Sequence, residues 1–253
     1  MLQLRFCSAS DPHVDLNVFA DSQQVDKAFY QSLVGSLLYC SVCTRPDITY
    51  AVSSVARYQQ DPRTVHLTAA KRILRYLKGT QRLGLCYKSD ASSSLSCFCD
   101  ASYASCTLTR KSTTGYLVFL GGAPVSWSSK RQTVTALSTL EAEFVAIAAA
   151  TCEVIWIRGL LCSVGLGDSK PVKIYTDSRN AYSYCIKPIA STHTKHIDVK
   201  FHFVKDHLAD KSIELHCVSG EDQLADYLTK PLFKPRFARL RQETGISAHE
   251  NLL

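Results

Sequence analysis

Long hydrophobic runs are missing from this sequence of 253 residues. No stretch reaches the roughly 20 uninterrupted apolar residues that a membrane-spanning helix needs, and the opening residues lack the apolar run of a secretory signal. We therefore expect an intracellular protein with no membrane partner. Hydrophobic residues nevertheless make up 46% of the chain and charged residues 20%, which is enough for a buried core in one large domain or two small ones.

A complete metal or disulfide pattern of cysteines is also missing. The 11 cysteines are an odd number and are spread over strand-like and helix-like segments, so we expect small buried hydrophobes rather than a disulfide framework. Cys40 and Cys43 have the spacing of half a zinc site, yet no second pair completes it. Both lie on an apolar helical pattern, which favours a core position over zinc binding.

The charge balance is modestly basic. The chain carries 29 lysines and arginines against 22 aspartates and glutamates, a formal net charge of +7. This charge suits a polyanionic partner such as nucleic acid, but by itself it does not demonstrate one.

Three helical patterns occupy the first third of the chain. Apolar residues recur at the spacing of one helix face around residues 33–38, 48–55 and 67–77. Pro46 suits the first turn of the second helix, and Gly79 is placed to end the third.

The apolar pattern changes from helical to alternating after the serine-rich stretch 89–94, which is the best candidate for a domain boundary. Residues 95–100 and the segments on either side of Gly121 and Gly122 predict three successive strands. A long helix, a strand, two helices, a fifth strand and a last helix over about 221–230 follow. This order predicts an α/β fold with a mixed five-stranded sheet flanked by helices.

Two aspartates stand at the ends of predicted strands, and a third lies on the last predicted helix. Asp100 and Asp177 end strands, and side chains from neighbouring strand ends can converge on one edge of a sheet. Asp226, alone, has the features of an ordinary surface aspartate. Together with a glutamate, these carboxylates could hold two Mg²⁺ or Mn²⁺ ions about 3.5 to 4 Å apart, one activating water and the other stabilising the departing oxygen during attack on a phosphodiester.

The long helix begins with two glutamates that cannot both face this edge. Glu141 and Glu143 are separated by about 200° around the helix axis. Ser138 and Glu141 have the form of a capping box, which gives Glu141 a structural role. We therefore favour Glu143 as the metal ligand and keep Glu141 as the alternate.

Several longer motifs resemble, in the same order, the RNase H domain of copia-type retrotransposon polyproteins. They span residues 95–232 and read FCDASYAS, RKSTTGYLVFLGG, VSWSSKRQ, ALSTLEAEFVA, IYTDSRNAY, TKHIDVKFHFV and EDQLADYLTKPL. The resemblance implies an RNase H-like fold and hydrolysis of the RNA strand of an RNA–DNA hybrid with two Mg²⁺ ions. It also implies a metal-binding acidic set made of Asp100, Glu143, Asp177 and Asp226.

The sequence departs from this family pattern at two places. Ser102 and Tyr103 stand where the family usually has a second aspartate and a tryptophan, and the loop before the last aspartate lacks the histidine of the cellular RNases H. His193, His196 and His202 belong to the TKHID region, which is no metal site in the family. Packing or capping by His196 is favoured over metal binding.

The upstream segments YQSLVGSLLYCSVCTRPDITYAV and AAKRILRYLKGT resemble the link between the reverse transcriptase palm and the RNase H domain in the same polyproteins. Residues 1–88 are then a helical remnant of the thumb or connection region, 95–232 the RNase H-like domain and 233–253 a basic C-terminal tail. The palm domain of the parent polyprotein is an expected partner, and a cytoplasmic virus-like particle or the nucleus is the expected compartment. The polymerase's catalytic aspartate motif is absent, so we expect no DNA synthesis.

Basic and polar residues near the acidic set are candidates for contacts to an RNA–DNA hybrid. The candidates for phosphate and sugar contacts are Arg110, Lys111, Lys130, Arg131, Ser178 and Asn180. Ordinary solvated side chains are the alternative for each. The alternative for the whole chain is a catalytically idle, truncated retroelement fragment that acts only as a nucleic-acid-binding or interaction module.

Overall fold

The chain forms two compact units in a computed structural model. The structure describes residues 9–17, 22–88, 94–186 and 195–248. The first unit consists of residues 1–86 together with 230–253, and the second of residues 87–229. Most of the serine-rich stretch that the sequence marks as a boundary lies outside the described residues.

The helices and strands of the described residues alternate in a mixed order. In chain order they are α1 (Lys27–Cys43), α2 (Thr49–Ala56), α3 (Thr64–Gly79), β1 (Leu83–Leu85), β2 (Leu95–Ser102), β3 (Thr113–Leu120), β4 (Ala123–Arg131), α4 (Thr139–Ser163), β5 (Val172–Thr176), α5 (Arg179–Ile186), α6 (Lys195–Ala209), β6 (Ile213–Cys217), α7 (Lys234–Glu243) and β7 (Ile246–Ala248). Two 3₁₀ helices, Pro46–Ile48 and Leu224–Leu228, precede α2 and follow β6.

The three predicted helices of the first unit are present, but the buried face of α3 differs from the predicted one. Ala70 and Ile73 are buried as expected, whereas Leu74 is 41% exposed. His66 and Tyr76 are fully buried instead. The apolar spacing alone does not reveal this rotation, because both buried residues are polar aromatics whose hydrogen bonds are satisfied inside the unit.

A buried ionic network joins α3 to the segment before α2. Arg45 forms a two-pronged ion pair with Asp47, with N–O distances of 2.9 and 2.7 Å. The Tyr76 hydroxyl donates to Asp47 at 2.6 Å, and Arg45 also donates to the Thr80 hydroxyl at 2.8 Å. Burial and the Asp47 carboxylate raise the pKa of Tyr76, so the phenol remains a donor. Arg241 of α7 donates to the Tyr76 oxygen at 3.1 Å.

The C-terminal segment is not a tail, contrary to the expectation for residues 233–253. Among its basic residues, Phe237 and Leu240 have the spacing of one helix face, and both are buried in α7. The ring of Phe237 contacts the ring of Tyr76 edge-on. Ile246 is also buried, and its strand, β7, pairs antiparallel with β1. Residues 234–248 are therefore part of the first unit, and residues 249–253 lie outside the described ones.

His66 makes the stability of the first unit depend on pH. Its Nδ1 accepts from the Arg63 amide at 3.0 Å and its Nε2 lies 3.0 Å from the Leu16 carbonyl, so the neutral ring satisfies both contacts. Burial lowers the pKa of His66 in the folded protein. As the pH falls below about 6.5, the usual pKa of histidine, this ring therefore becomes protonated in the unfolded chain before it does so in the folded protein. Stability should therefore decrease from pH 7 to pH 5, as measured by the urea midpoint. His66→Gln should flatten this dependence and exposed His13→Gln should not; equal slopes in all three proteins would contradict the assignment.

The second unit contains a five-stranded mixed sheet in the order β4-β3-β2-β5-β6. β2, β3 and β4 pair antiparallel in sequence, and β5 and β6 add in parallel beyond β2. α4, α5 and α6 contact one another and the sheet, with the core residues Cys97, Cys99, Val118, Phe144, Ile147, Val154, Ile174, Cys185, Phe201 and Val204 between them. These strands and helices confirm the predicted α/β fold, a mixed five-stranded sheet flanked by helices.

Among the described helices, α4 alone is long and apolar enough in composition to cross a membrane. Half of its most apolar window is buried inside the protein, where Phe144, Ile147 and Val154 pack into the core. The core helix of a mixed sheet needs this composition, so we place no membrane span here.

The last predicted helix is much shorter than expected. Instead of a helix over 221–230, the chain forms a single 3₁₀ helix of five residues, Leu224–Leu228. Gln223 caps it, accepting from the Ala225 amide at 3.2 Å. Pro231 disfavours helical geometry at the preceding residue and so opposes continuation.

Candidate metal centre

The sheet topology places Asp100 and Asp177 side by side. Phe98 of β2 and Tyr175 of β5 form the last parallel pair, and their rings stack with centroids 4.6 Å apart. Asp100 and Asp177 each follow two residues later. Because side chains alternate along a strand, the Asp100 carboxylate is on the same side of the sheet as the Phe98 ring, and Asp177 directly follows the end of the neighbouring strand.

The capping of α4 selects between its two glutamates. The Ser138 hydroxyl accepts from the Glu141 amide at 3.2 Å, and the Glu141 carboxylate accepts from the Leu137 amide at 2.7 Å. Glu141 therefore lies at the helix cap, and Glu143 is directed to the sheet edge. Gln132 holds this turn against the sheet, donating to the Thr114 hydroxyl at 3.0 Å and to the Ala142 carbonyl at 2.9 Å.

Three carboxylates come together as a result. One ligand oxygen from each of Asp100, Glu143 and Asp177 lies within 4.8 Å of the other two. Asp100 is 2% exposed and Glu143 6%, while Asp177 is half-buried. Among the described residues no other group of histidine, cysteine or acidic side chains has this spacing. We call Asp100, Glu143 and Asp177 the carboxylate group.

The thiol closest in sequence does not compete as a ligand. Burial raises the pKa of Cys99 well above its usual range, and the negative charges nearby, including Glu143 and Asp100, raise it further. Cys99 is consequently a neutral thiol on the core face of β2.

Asp226 is buried near the carboxylate group but is not a member of it. Gln223, which caps the 3₁₀ helix, donates to the Cys99 carbonyl at 3.0 Å and so ties this helix to β2. Asp226 is 1% exposed. The structure therefore brings three of the four predicted acidic residues together and places the fourth on a neighbouring element.

Sequence reasoning missed Thr229, which lies one helical turn after Asp226. Its hydroxyl donates to Oδ2 of Asp100, and the residue is completely buried. The only signal in the sequence is this spacing of three residues, which puts Thr229 on the same side of a helical turn as Asp226.

Gly115 allows the 3₁₀ helix and Thr229 to pack closely against β3. It is the partner of Asp100 in the β2–β3 ladder. A Cβ at this position would lie 2.7 Å from Thr229 Cγ2 and 2.8 Å from Leu228 Cβ, closer than real contacts allow.

Gly115→Ala should therefore displace the 3₁₀ helix and destabilise the second unit by about 1–3 kcal/mol. Urea unfolding followed by tryptophan fluorescence measures this, because both tryptophans, Trp127 and Trp156, belong to the second unit. Gly159→Ala is the matched control: nothing lies within 4 Å of its added Cβ, and alanine in a helix interior should be neutral or stabilising. Equal stability of the two variants would contradict the close packing.

Of the six residues predicted to contact nucleic acid, three form contacts within the protein and three are exposed to solvent. The ammonium of Lys111 donates to the Thr133 carbonyl at 2.6 Å, the Arg131 guanidinium lies 3.9 Å from the Cys106 sulfur, and the Ser178 hydroxyl accepts from the Ala181 amide at 3.2 Å. These three already have structural contacts. Arg110, Lys130 and Asn180 are exposed.

Of the three histidines of the TKHID region, only the side chain of His202 is described, and it is not part of the carboxylate group. His202 is exposed on α6, and no described histidine belongs to the group. His193 and the side chain of His196 lie outside the described residues.

Comparisons with known proteins found relatives among curated sequences and solved structures. No protein-family model matches the sequence. The retrovirus-related Pol polyprotein from transposon RE1 of Arabidopsis thaliana is 37% identical over 236 residues, which are 93% of this chain and 16% of the polyprotein. The Pol polyprotein from transposon TNT 1-94 of Nicotiana tabacum is 39% identical over 225 residues, 89% of this chain and 17% of the polyprotein. LC11-RNase H1, isolated from compost, aligns with a TM-score of 0.42 and 14% identity over 54% of this chain and 93% of its own.

The second unit is an α/β domain with a carboxylate group at the edge of its sheet. Over about nine-tenths of its length the chain is homologous to the retrovirus-related Pol polyproteins of copia-type transposons. It spans about a sixth of the length of these polyproteins.

Proposed function

We propose that the second unit is an RNase H-type endonuclease that hydrolyses the RNA strand of RNA–DNA hybrids with two Mg²⁺ ions, Mn²⁺ being an alternative. The observation that carries this proposal is the carboxylate group of Asp100, Glu143 and Asp177. The group lies at the carboxyl ends of two parallel strands, where α/β sheets commonly bind their ligands.

The donor set fits a hard divalent cation. Three carboxylates within 4.8 Å of one another, two of them buried, repel each other when they are ionised. A divalent cation relieves this repulsion, and carboxylate oxygens are the ligands that Mg²⁺ and Mn²⁺ prefer.

All four acidic residues are proposed metal ligands. Asp100, Glu143 and Asp177 hold the metal, and Asp226 completes the set from the 3₁₀ helix beside them. Bound divalent ions supply Lewis acidity, which makes water a better nucleophile and stabilises the departing oxygen. The chain itself contributes the orientation of the ligands, through the cap of α4 and the Gln132 and Gln223 side chains.

Binding of the hybrid is proposed to depend on its backbone rather than its sequence. Arg110 and Lys130 are exposed cations that suit phosphates, and Asn180, exposed three residues after Asp177, suits the sugar edge. Affinity should therefore fall steeply with salt concentration. The palm domain of the parent polyprotein is proposed as the partner that presents the hybrid.

A second function is favoured by one observation: Asp226 is buried on the 3₁₀ helix and is not part of the carboxylate group. A domain with only three of its four proposed ligands in one group would bind nucleic acid or a protein partner without cleaving anything.

A cleavage assay separates the two functions. The purified chain is incubated with Mg²⁺ and an RNA–DNA hybrid labelled on the RNA strand, and in parallel with duplex RNA and duplex DNA. We expect cleavage of the hybrid's RNA strand alone, at many positions, and complete loss of cleavage with EDTA. Salt-sensitive binding of the hybrid without any cleavage would establish the binding module instead.

A further inference from the structure

Thr229 joins the 3₁₀ helix to the first carboxylate of the carboxylate group. It caps the C-terminal end of Leu224–Leu228, is completely buried, and donates its hydroxyl hydrogen to Oδ2 of Asp100. A hydrogen bond from a buried hydroxyl to a carboxylate restricts the rotation of that carboxylate and satisfies one of its lone pairs.

The methyl group of Thr229 sets the direction of the hydroxyl. A Cβ added at Gly115 would lie 2.7 Å from Thr229 Cγ2, so the methyl occupies the space over this glycine. Gly115 is also the ladder partner of Asp100. Threonine is branched at Cβ and has few χ1 rotamers, so fixing the methyl over Gly115 fixes the hydroxyl toward Asp100.

Thr229 also contacts the backbone of Asp226. Its amide donates to the Asp226 carbonyl at 3.1 Å, and its hydroxyl oxygen lies 3.1 Å from the same carbonyl oxygen. One buried residue therefore connects the helix that carries the fourth acidic residue to the side chain of the first.

We propose that Thr229 is a positioning residue, whose hydroxyl holds the Asp100 carboxylate in the orientation that binds a divalent cation. This proposal rests on the proposed function of the carboxylate group. Hydrogen-bond partners of metal ligands typically contribute about 10- to 100-fold to metal affinity.

The test is the dissociation constant of Mn²⁺, measured by electron paramagnetic resonance on the full chain without nucleic acid. Thr229→Val, which keeps the branched shape and removes the donor, should weaken Mn²⁺ binding about 10-fold or more. Thr229→Ser, which keeps the hydroxyl, should remain within about threefold of wild type. Asp100→Asn shows that the measured ion is at this site.

Thr151→Val is the matched control. Thr151 is a fully buried threonine of the same unit whose hydroxyl donates to the Ile147 carbonyl at 2.8 Å, inside α4. Its replacement removes an equivalent hydroxyl away from Asp100, so Mn²⁺ affinity should not change. Loss of the near-UV circular dichroism signal in Thr229→Val would show that this variant is misfolded. In that case Thr229→Ala, which removes the hydroxyl without adding a methyl, is used instead and should also weaken Mn²⁺ binding.

The outcomes for Thr229 and for the proposed function are distinguishable. Wild-type Mn²⁺ affinity in Thr229→Val, with loss of binding in Asp100→Asn, overturns the positioning role and leaves the metal site intact. Weakened binding in Thr229→Val by a protein that cleaves no hybrid supports the positioning role and overturns the nuclease. A wild-type chain that binds no Mn²⁺ overturns both.

Discussion

Replacing Asp100 with asparagine is expected to abolish cleavage of an RNA–DNA hybrid. Asp100 is buried and is a member of the carboxylate group, the proposed metal site. Asparagine keeps the size of the side chain but removes that charge, so metal binding loses a principal ligand. A loss of about 4 kcal/mol of transition-state stabilisation lowers the rate roughly a thousandfold. The initial rate of hybrid cleavage in Mg²⁺ measures the effect, and Asp177→Asn should behave in the same way.

Asp168→Asn is the control for this experiment. Asp168 lies before β5, at the opposite end of that strand from Asp177, and its side chain accepts from the Lys170 amide at 3.0 Å. Its loss should leave the cleavage rate within about twofold of wild type, as expected of a surface substitution away from the site. Cleavage at wild-type rates by both Asp100→Asn and Asp177→Asn would refute the site assignment.

Replacing Asp47 with alanine should have the largest effect on stability. The Asp47 side chain is 0% exposed and binds both the Arg45 guanidinium and the Tyr76 hydroxyl. Its removal leaves a buried guanidinium without its counter-charge, which typically costs about 3–5 kcal/mol. The urea midpoint of the far-UV circular dichroism transition should fall by more than about 1 M.

The stability measurement has a control within the same unit. Asp61 also pairs with an arginine, Arg63, at 2.8 Å, but its side chain is 54% exposed. Asp61→Ala should shift the midpoint little, because exposed ion pairs are screened by water and salt. An Asp47→Ala midpoint equal to that of Asp61→Ala would show that the buried network is dispensable.

Much of the second unit follows from local pattern. Alternating residues before Asp100 and Asp177 predict strands, and β2 and β5 are present, although β2 continues two residues beyond Asp100 and β5 ends at Thr176, directly before Asp177. The capping box at Ser138 predicts a structural role for Glu141, and the structure has these hydrogen bonds. Each of these features depends on residues within one turn or one strand, so their physical causes are visible in the sequence.

Contacts between distant segments could not be predicted from the sequence. Thr229 bonds to Asp100 over a separation of 129 residues, and nothing in either segment predicts the other. The predicted length of the last helix was wrong because, besides the local effect of Pro231, the packing over Gly115 and the Gln223 bond to β2 shape this segment. In α3 the polar aromatics His66 and Tyr76 are buried because their hydrogen-bond partners come from other segments.

The sequence by itself indicated the family resemblance, the order of strands and helices in the second unit and the candidate acidic residues, because these depend on motifs and on periodicities of a few residues. Only the tertiary structure decided that Asp100, Glu143 and Asp177 share one group while Asp226 lies beside it. It also decided that residues 234–248 join the first unit. The physical reason is that side-chain proximity depends on strand order and on close packing between segments, and these arise only when the whole chain buries its core.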